Sequence, residues 1–377
     1  MSLVERVVVP TEPALGPAPG AGPAPGTIPG NQASAGGGAG PGTASSAASG
    51  DRPGRFRPCG GHLAVVGTTA SGKSALALAL AAARPGTEIV SIDSMAVYRE
   101  MDIATAKPAP AERAAVAHHM IDVADPAEEY GVARFQHDAL AVLADVERRG
   151  RRAVLVGGTG LYLRALIDDL DLPGQWPDVA AEVARDAAAP GGLAELHRRL
   201  ARLDPVAAAR IEPGNHRRLV RALEVTLGSG RPFSSFGPGL ERYAASPVVQ
   251  VGVPFDRAAV DHRIGDRLAR WMEAGLLQEV RALAGRARGL SRTARQALAY
   301  RELLAHVESG ADLVAAVTEA ERRTRALARR QWSWFRRDPR VRWLDPSWDL
   351  VGQALAHWGA PDDTRRGGVP VPTGSRL

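Results

Sequence analysis

Short apolar runs, each bounded by glycine, proline or polar residues, recur along the first two thirds of the chain. His62-Leu63-Ala64-Val65-Val66, Glu88-Ile89-Val90-Ser91-Ile92, Ala153-Val154-Leu155-Val156 and Val248-Val249-Gln250-Val251-Gly252-Val253 read as buried strands. Between them the period lengthens to that of a helix. Ala75 to Leu80 is strong helix-forming sequence, and Phe135 to Arg149 places Phe135, Ala139, Leu143 and Val146 on one face. Strands alternating with helices predict an α/β core around a parallel sheet. From about Leu172 the pattern breaks: Pro173, Pro177, Pro190 and Pro205 punctuate short helical pieces such as Leu193–Leu203. Residues 172–213 are therefore expected to form a small helical insertion between a first part of the core, 59–171, and a second, 214–346. The second part opens with a helix over Asn215 to Val225. After the Val248 strand it is helical over Arg263 to Ala284, Arg292 to Glu308 and Leu313 to Arg336. Residues 1–58 are mostly Gly, Pro, Ala, Ser and Thr, with no aromatic before Phe56. Such a segment cannot bury enough surface to offset its ordering entropy, so disorder is expected there. Residues 347–377 read as a flexible tail.

The first strand and helix enclose Gly67-Thr68-Thr69-Ala70-Ser71-Gly72-Lys73-Ser74, which fits G-x-x-x-x-G-K-[ST]. A strand, a glycine turn and a helix N-terminus form a phosphate cradle. The backbone closes around the oxygens, successive N–H groups point inward, and Lys73 adds a point charge. The Ser74 hydroxyl is placed for a magnesium ion. An accidental glycine loop is the bland alternative, and the kind of phosphate stays open at this level. In an open parallel sheet the ligand crevice lies beyond the carboxyl ends of the strands. Asp93 and Ser94 end the second strand, and Gly157-Gly158-Thr159 ends the third, so all belong on that edge. Each has a plainer reading of equal weight: Asp93 as a helix N-cap, the glycines and Thr159 as a tight capped turn.

Composition sharpens two points. Among 47 lysines and arginines only Lys73 and Lys107 are lysines, and the formal net charge is only +6. Lysines that survive such an arginine bias are candidates for needing an ammonium rather than a guanidinium. The basicity is also local: Leu313 to Arg336 interleaves Arg322, Arg323, Arg325, Arg329 and Arg330 with Gln331, Trp332, Trp334 and Phe335. Arginines with aromatics on a helix suit a phosphate backbone with unstacked bases, although a solvated face is the usual role of a charge run. The single cysteine excludes an internal disulfide or a cysteine-based zinc site. No apolar run approaches the roughly 20 residues of a membrane span, so a cytoplasmic protein without a membrane partner is expected.

Taken in order, GTTASGKS, SIDSMAVYREMDIATAKP, VGGTGLY, RRLVRALEV and TRALARRQWSWF resemble the tRNA dimethylallyltransferase (tRNA isopentenyltransferase) family from about His62 to Leu344. The resemblance implies a P-loop NTPase-like fold with a small helical insertion and a basic helical C-terminal part. It implies transfer of a dimethylallyl group from dimethylallyl diphosphate to N6 of the adenosine 3′ of the anticodon, with Mg²⁺ as cofactor, by a monomer. Asp93 then matches the general base, with Lys73 and Thr159 completing the catalytic set. Gly67 through Ser74 would hold the diphosphate, together with Arg221. The implied tRNA contacts are Asp93, Ser94, Met95, Ala96, Thr159, Arg217, Arg218, Arg221, Gln296, Tyr300, Arg301, Arg329, Arg330, Gln331 and Trp334. Lys107, in the TAKP segment, falls near the donor. The chain departs from the family at Ala96, where glutamine is common, at Ala299, where glycine is usual, and at Arg329, where lysine is usual at that position or its neighbour. Two other enzymes share the P-loop: an isopentenyltransferase acting on free adenylate and a P-loop small-molecule kinase. A non-catalytic RNA-binding module would have no use for Lys73 and Asp93.

Overall fold

The computed structural model describes residues 58, 61–237 and 239–359. The expectation of disorder for 1–58 thus falls outside the described residues, Pro58 apart. In chain order the core begins with β1 (Leu63–Val66), α1 (Lys73–Ala83), β2 (Thr87–Ser91), α2 (Pro110–Ala115) and β3 (His118–His119). It continues with α3 (Val132–Arg148), β4 (Arg152–Gly157) and α4 (Gly160–Ile167). The strands form one six-stranded sheet in the order β3-β2-β4-β1-β5-β6, with β5 at Val249–Gly252 and β6 at Val341–Trp343. Every pairing is parallel, so the carboxyl ends of all six strands lie on one edge. β1, β2 and β4 are covered on both faces, which is why they read as continuous apolar runs rather than alternating ones.

Leu63, Val65, Val154 and Val251 meet Leu76, Leu80 and Trp358 in the core under α1. Trp358 belongs to α13 (Leu350–Trp358), so the described part of the expected flexible tail, up to residue 359, carries a docked helix, while 360–377 lie outside the described residues. Its indole N–H donates to the Gly61 carbonyl at 2.8 Å, and the Arg84 guanidinium lies 4.4 Å over its ring. The two edge strands leave little mark on the sequence pattern. β3 is two residues long, and β6 carries a solvent-facing Arg342 between its apolar neighbours.

The insertion comprises α5 (Pro177–Ala188), α6 (Gly192–Leu203) and α7 (Pro205–Arg210). It shares a small core with α8 (His216–Ser229), through Val183, Leu196, Leu200, Leu219 and Leu223. The helical unit therefore runs past the expected boundary at 213, because Leu219, Ala222 and Leu223 of α8 bury against it. The single helix expected over 263–284 is two, α9 (Arg257–Glu273) and α10 (Leu276–Ala284), broken at left-handed Gly275. The stretch 292–308 resolves into a short 3-10 turn at Ala294–Gln296 and α11 (Tyr300–Ser309). The break falls at Ala299, with φ 69° and ψ −44°, a conformation glycine adopts freely and alanine holds at roughly 1–3 kcal/mol of strain. α12 (Leu313–Phe335) is continuous, as its periodicity predicts.

Candidate active site

The loop from Gly67 to Gly72 leaves β1 and turns into α1. Ala70 (φ 59°) and Gly72 (φ 96°) take left-handed conformations within it, and such turns aim successive amides at one point. The Thr68 and Ser71 hydroxyls are buried there with no hydrogen-bond partner among the described residues, so the cradle has polar capacity to spare. Lys73 Nζ bends back to donate to the Thr68 carbonyl at 3.1 Å, and Ser74 is exposed at the helix start. Burial pulls the Lys73 ammonium down to about 8; the Asp93 carboxylate opposes this and Arg267 adds to it.

Those three side chains therefore share one electrostatic site. Arg267 comes from the middle of α9. It donates to the Thr69 hydroxyl, stacks 4.7 Å over the Trp271 ring, and is drawn down to about 10, first by burial and then by Arg270. Sequence reasoning does not single it out. Arg263, Arg267 and Arg270 stand in one arginine-rich helix, and only the packing of α9 against the cradle separates Arg267 from the others.

Asp93 follows β2 directly. Its Oδ1 accepts from the Met95 and Ala96 amides at 2.8 and 3.2 Å, which closes a tight turn; no helix starts here, so the expected N-cap is a turn instead. The adjacent β4 end is pressed against it: the Thr159 amide donates to the Ile92 carbonyl at 3.4 Å, and the Thr159 hydroxyl accepts from the Ser94 amide at 3.3 Å. Gly157 permits this approach, since a Cβ there would overlap the Ile92 carbonyl. Gly160 similarly makes room for the Trp334 indole.

A single cavity of about 3030 Å³ joins these parts and reaches Arg217, Arg218 and Arg221 of α8, Gln296, Arg301, Arg330 and Trp334. Arg217, Arg218, Gln296, Arg301, Arg329 and Arg330 are exposed, whereas Ala96 and Tyr300 are buried. Arg221 is anchored to the Pro173 and Gly174 carbonyls at 2.9 and 2.8 Å and to Glu224 at 2.7 Å. The Tyr300 hydroxyl lies inside the protein, donating to Glu279 at 2.5 Å and accepting from the Ala104 amide at 3.2 Å. Glu279 also accepts from the amides of Asp102 and Ile103, and burial raises its carboxyl above the usual range. Tyr300 and Glu279 thus tie the 102–104 loop to the C-terminal helices. Along α12, Arg322 and Arg323 pair with Glu319 and Arg325 with Glu321. Arg329, Arg330, Arg336 and Arg337 have no ion-pair partner among the described residues, so the open positive charge gathers at the end of the helix.

Lys107 lines the same cavity as the cradle, but its ammonium is engaged within the protein. Its ammonium is spent on three oxygens: Asp102 at 2.6 Å, Asp122 at 2.5 Å and the Tyr98 carbonyl at 2.6 Å. Three tetrahedral N–H donors meet three acceptors, a geometry a planar guanidinium cannot copy. Lys107→Met should lower unfolding stability by about 2 kcal/mol, read from the urea midpoint, because Asp102 and Asp122 are partly open to water and lose only part of their compensation.

Fold and site define a P-loop α/β protein whose anion cradle faces a carboxylate across a deep basic cleft. Comparison with known proteins agrees: the IPP transferase family model matches residues 96–338. A tRNA dimethylallyltransferase of Kineococcus radiotolerans is 49% identical over 288 residues, covering 75% of this chain and 90% of that protein. One from Thermobifida fusca is 49% identical over 302 residues, with 78% and 93% covered. The crystal structure of a tRNA isopentenylpyrophosphate transferase from Bacillus halodurans superposes with TM-score 0.56 at 35% identity, covering 78% of this chain and 93% of that one. A eukaryotic dimethylallyltransferase acting on tRNA gives TM-score 0.63 at 25% identity, with 81% and 77% covered. The chain belongs to the IPP transferase family. Among the described residues, no helix is long and apolar enough to cross a membrane.

Proposed function

We propose that this protein transfers the dimethylallyl group of dimethylallyl diphosphate to N6 of the adenosine 3′ of the anticodon in tRNA, releasing diphosphate. The observation that carries the reading is the continuity of the cavity, from the P-loop past Asp93 and Thr159 to the exposed arginines of α8 and α12. Its volume, about 3030 Å³, is several times that of an ordinary small-molecule site of roughly 300–1,000 Å³. A kinase or a free-adenylate enzyme needs no such basic extension, while an adenosine extruded from an anticodon loop needs both the depth and the grip.

In the reaction the N6 lone pair forms a bond to C1 of the allylic donor as the C1–O bond breaks. The bonding electrons leave with the diphosphate, and the N6 proton passes to Asp93. An exocyclic adenine amine is a poor nucleophile because its lone pair is delocalised into the ring, so a base at this point has large leverage. The P-loop amides, Lys73 and Arg267 face the charge that accumulates on the leaving diphosphate. The spare Thr68 and Ser71 hydroxyls suit the same anion. Mg²⁺ fits the donor set: Ser74 offers one exposed hydroxyl, and a group of three His, Cys, Asp or Glu is absent among the described residues. A small protein share of the shell is usual for a magnesium ion completed by water and substrate phosphates. When bound, it would neutralise diphosphate charge.

Incubation with radiolabelled dimethylallyl diphosphate and Mg²⁺, offering unmodified tRNA, AMP and ATP in parallel, tests this reading. Label is expected in tRNA. Label in AMP alone would assign the protein to free nucleotides, and ATP consumption without label transfer would make it a kinase.

Lys73 adds a pH signature. Its ammonium is the form that attracts diphosphate, and in the free protein it titrates near 8. Diphosphate affinity should therefore hold below that pH and fall above it, by up to about tenfold per pH unit until the ammonium of the complex itself titrates. Isothermal titration with inorganic diphosphate across this range checks it, and Lys73→Met should lack the break.

A further inference from the structure

Gln331 stands near the end of α12, among arginines that line the cavity mouth, yet both polar atoms of its side chain are used inside the protein. Its Oε1 accepts from the Thr69 amide of the P-loop at 2.7 Å, and its Nε2 donates to the Gly158 carbonyl at 3.0 Å. Gly158 and this amide are built against each other, because a Cβ at residue 158 would overlap Nε2. One side chain therefore bridges the diphosphate cradle after β1 and the loop after β4. That loop in turn holds the Asp93 segment, through the Thr159 hydroxyl on the Ser94 amide and the Thr159 amide on the Ile92 carbonyl. The leaving group and the base are thus carried by separate loops, and the Gln331 amide connects them.

We infer that Gln331 is a positioning residue, one whose amide keeps the diphosphate cradle in register with Asp93 and Thr159 instead of reading RNA. The inference rests on the proposed function for what occupies the cradle. The bridge needs an acceptor and a donor at the end of one side chain of this length. Methionine supplies neither. Glutamate keeps the acceptor but turns an anion toward the Gly158 carbonyl and the diphosphate. Asparagine keeps both groups and falls one methylene short.

The test compares wild type with Gln331→Met, Gln331→Glu and Gln331→Asn in two equilibrium titrations, inorganic diphosphate with Mg²⁺ and unmodified tRNA, followed by steady-state label transfer. Diphosphate affinity should fall about tenfold in the Met and Asn variants and further in Glu, where charge repulsion is added. Affinity for tRNA should stay within about twofold, while donor KM rises and kcat falls. Asn, the mildest change, keeps the comparison possible if Met or Glu fails to fold. Loss of tRNA affinity with diphosphate binding intact would overturn the inference, as would no change in either ligand. Wild-type protein that binds no diphosphate would instead refute the functional reading itself.

Discussion

Asp93→Asn is expected to lower kcat for prenyl transfer by about 10²–10⁴-fold while tRNA affinity stays within a factor of two. Asparagine is the informative replacement because Asp93 has two duties. Its Oδ1 caps the Met95 and Ala96 amides, and an amide oxygen can continue to do so. What asparagine cannot do is accept the N6 proton. Single-turnover transfer rates with saturating donor and tRNA read the chemical step alone. A fall of that size with unchanged binding supports Asp93 as the base. Unchanged turnover would remove it from the chemistry and leave only the turn. Alanine would lose both duties at once and so could not separate them.

The second large effect belongs to Lys73. Lys73→Met should reduce kcat/KM for the allylic donor by about 10²–10³-fold, the usual loss when one preorganised group facing developing charge is removed. The loss should fall on the donor. Methionine spans a similar length without charge, and among the described residues the Lys73 ammonium has only one hydrogen bond, to the Thr68 carbonyl, so the fold loses little. Binding of tRNA should be nearly unaffected, because the exposed arginines of α8 and α12 are separate from the cradle. Arg267 stays in place beside Thr69, which is why the activity should fall and not vanish. If Lys73→Met weakened tRNA binding and left the donor kinetics alone, the assignment of the cradle to the donor would be wrong.

Both residues are legible in the sequence because their positions are local facts. Lys73 follows a strand and a glycine loop, and Asp93 ends the next strand, so chain order alone sets both on one sheet edge. The Thr159 loop is legible for the same reason. Arg267 is not, because an arginine inside an amphipathic helix looks like its neighbours until α9 is packed against the P-loop. Gln331 and Tyr300 stand in stretches that read as nucleic-acid contacts, and that reading gives no hint of the hydrogen bonds their polar atoms make inside the protein. Lys107 is legible as a residue that needs an ammonium but not as the centre of three oxygens, since Asp122 reaches it from another turn of the chain. Among the elements, β3 and β6 are too short to carry a period, and α13 depends on Trp358 docking beside Arg84 and Gly61. Periodicity cannot report a contact made almost 300 residues away along the chain.

If the P-loop of this chain holds an allylic diphosphate and Asp93 takes a proton from an adenosine amine, donor cleavage and RNA alkylation must share one stoichiometry. Unmodified anticodon stem-loop RNA is incubated with dimethylallyl diphosphate, Mg²⁺ and the protein, and released diphosphate is counted against N6-alkylated adenosine recovered by digestion and mass analysis. One diphosphate is expected for each alkylated adenosine, confined to the position 3′ of the anticodon. Diphosphate released without alkylated adenosine, or alkylation at any other base, would contradict it.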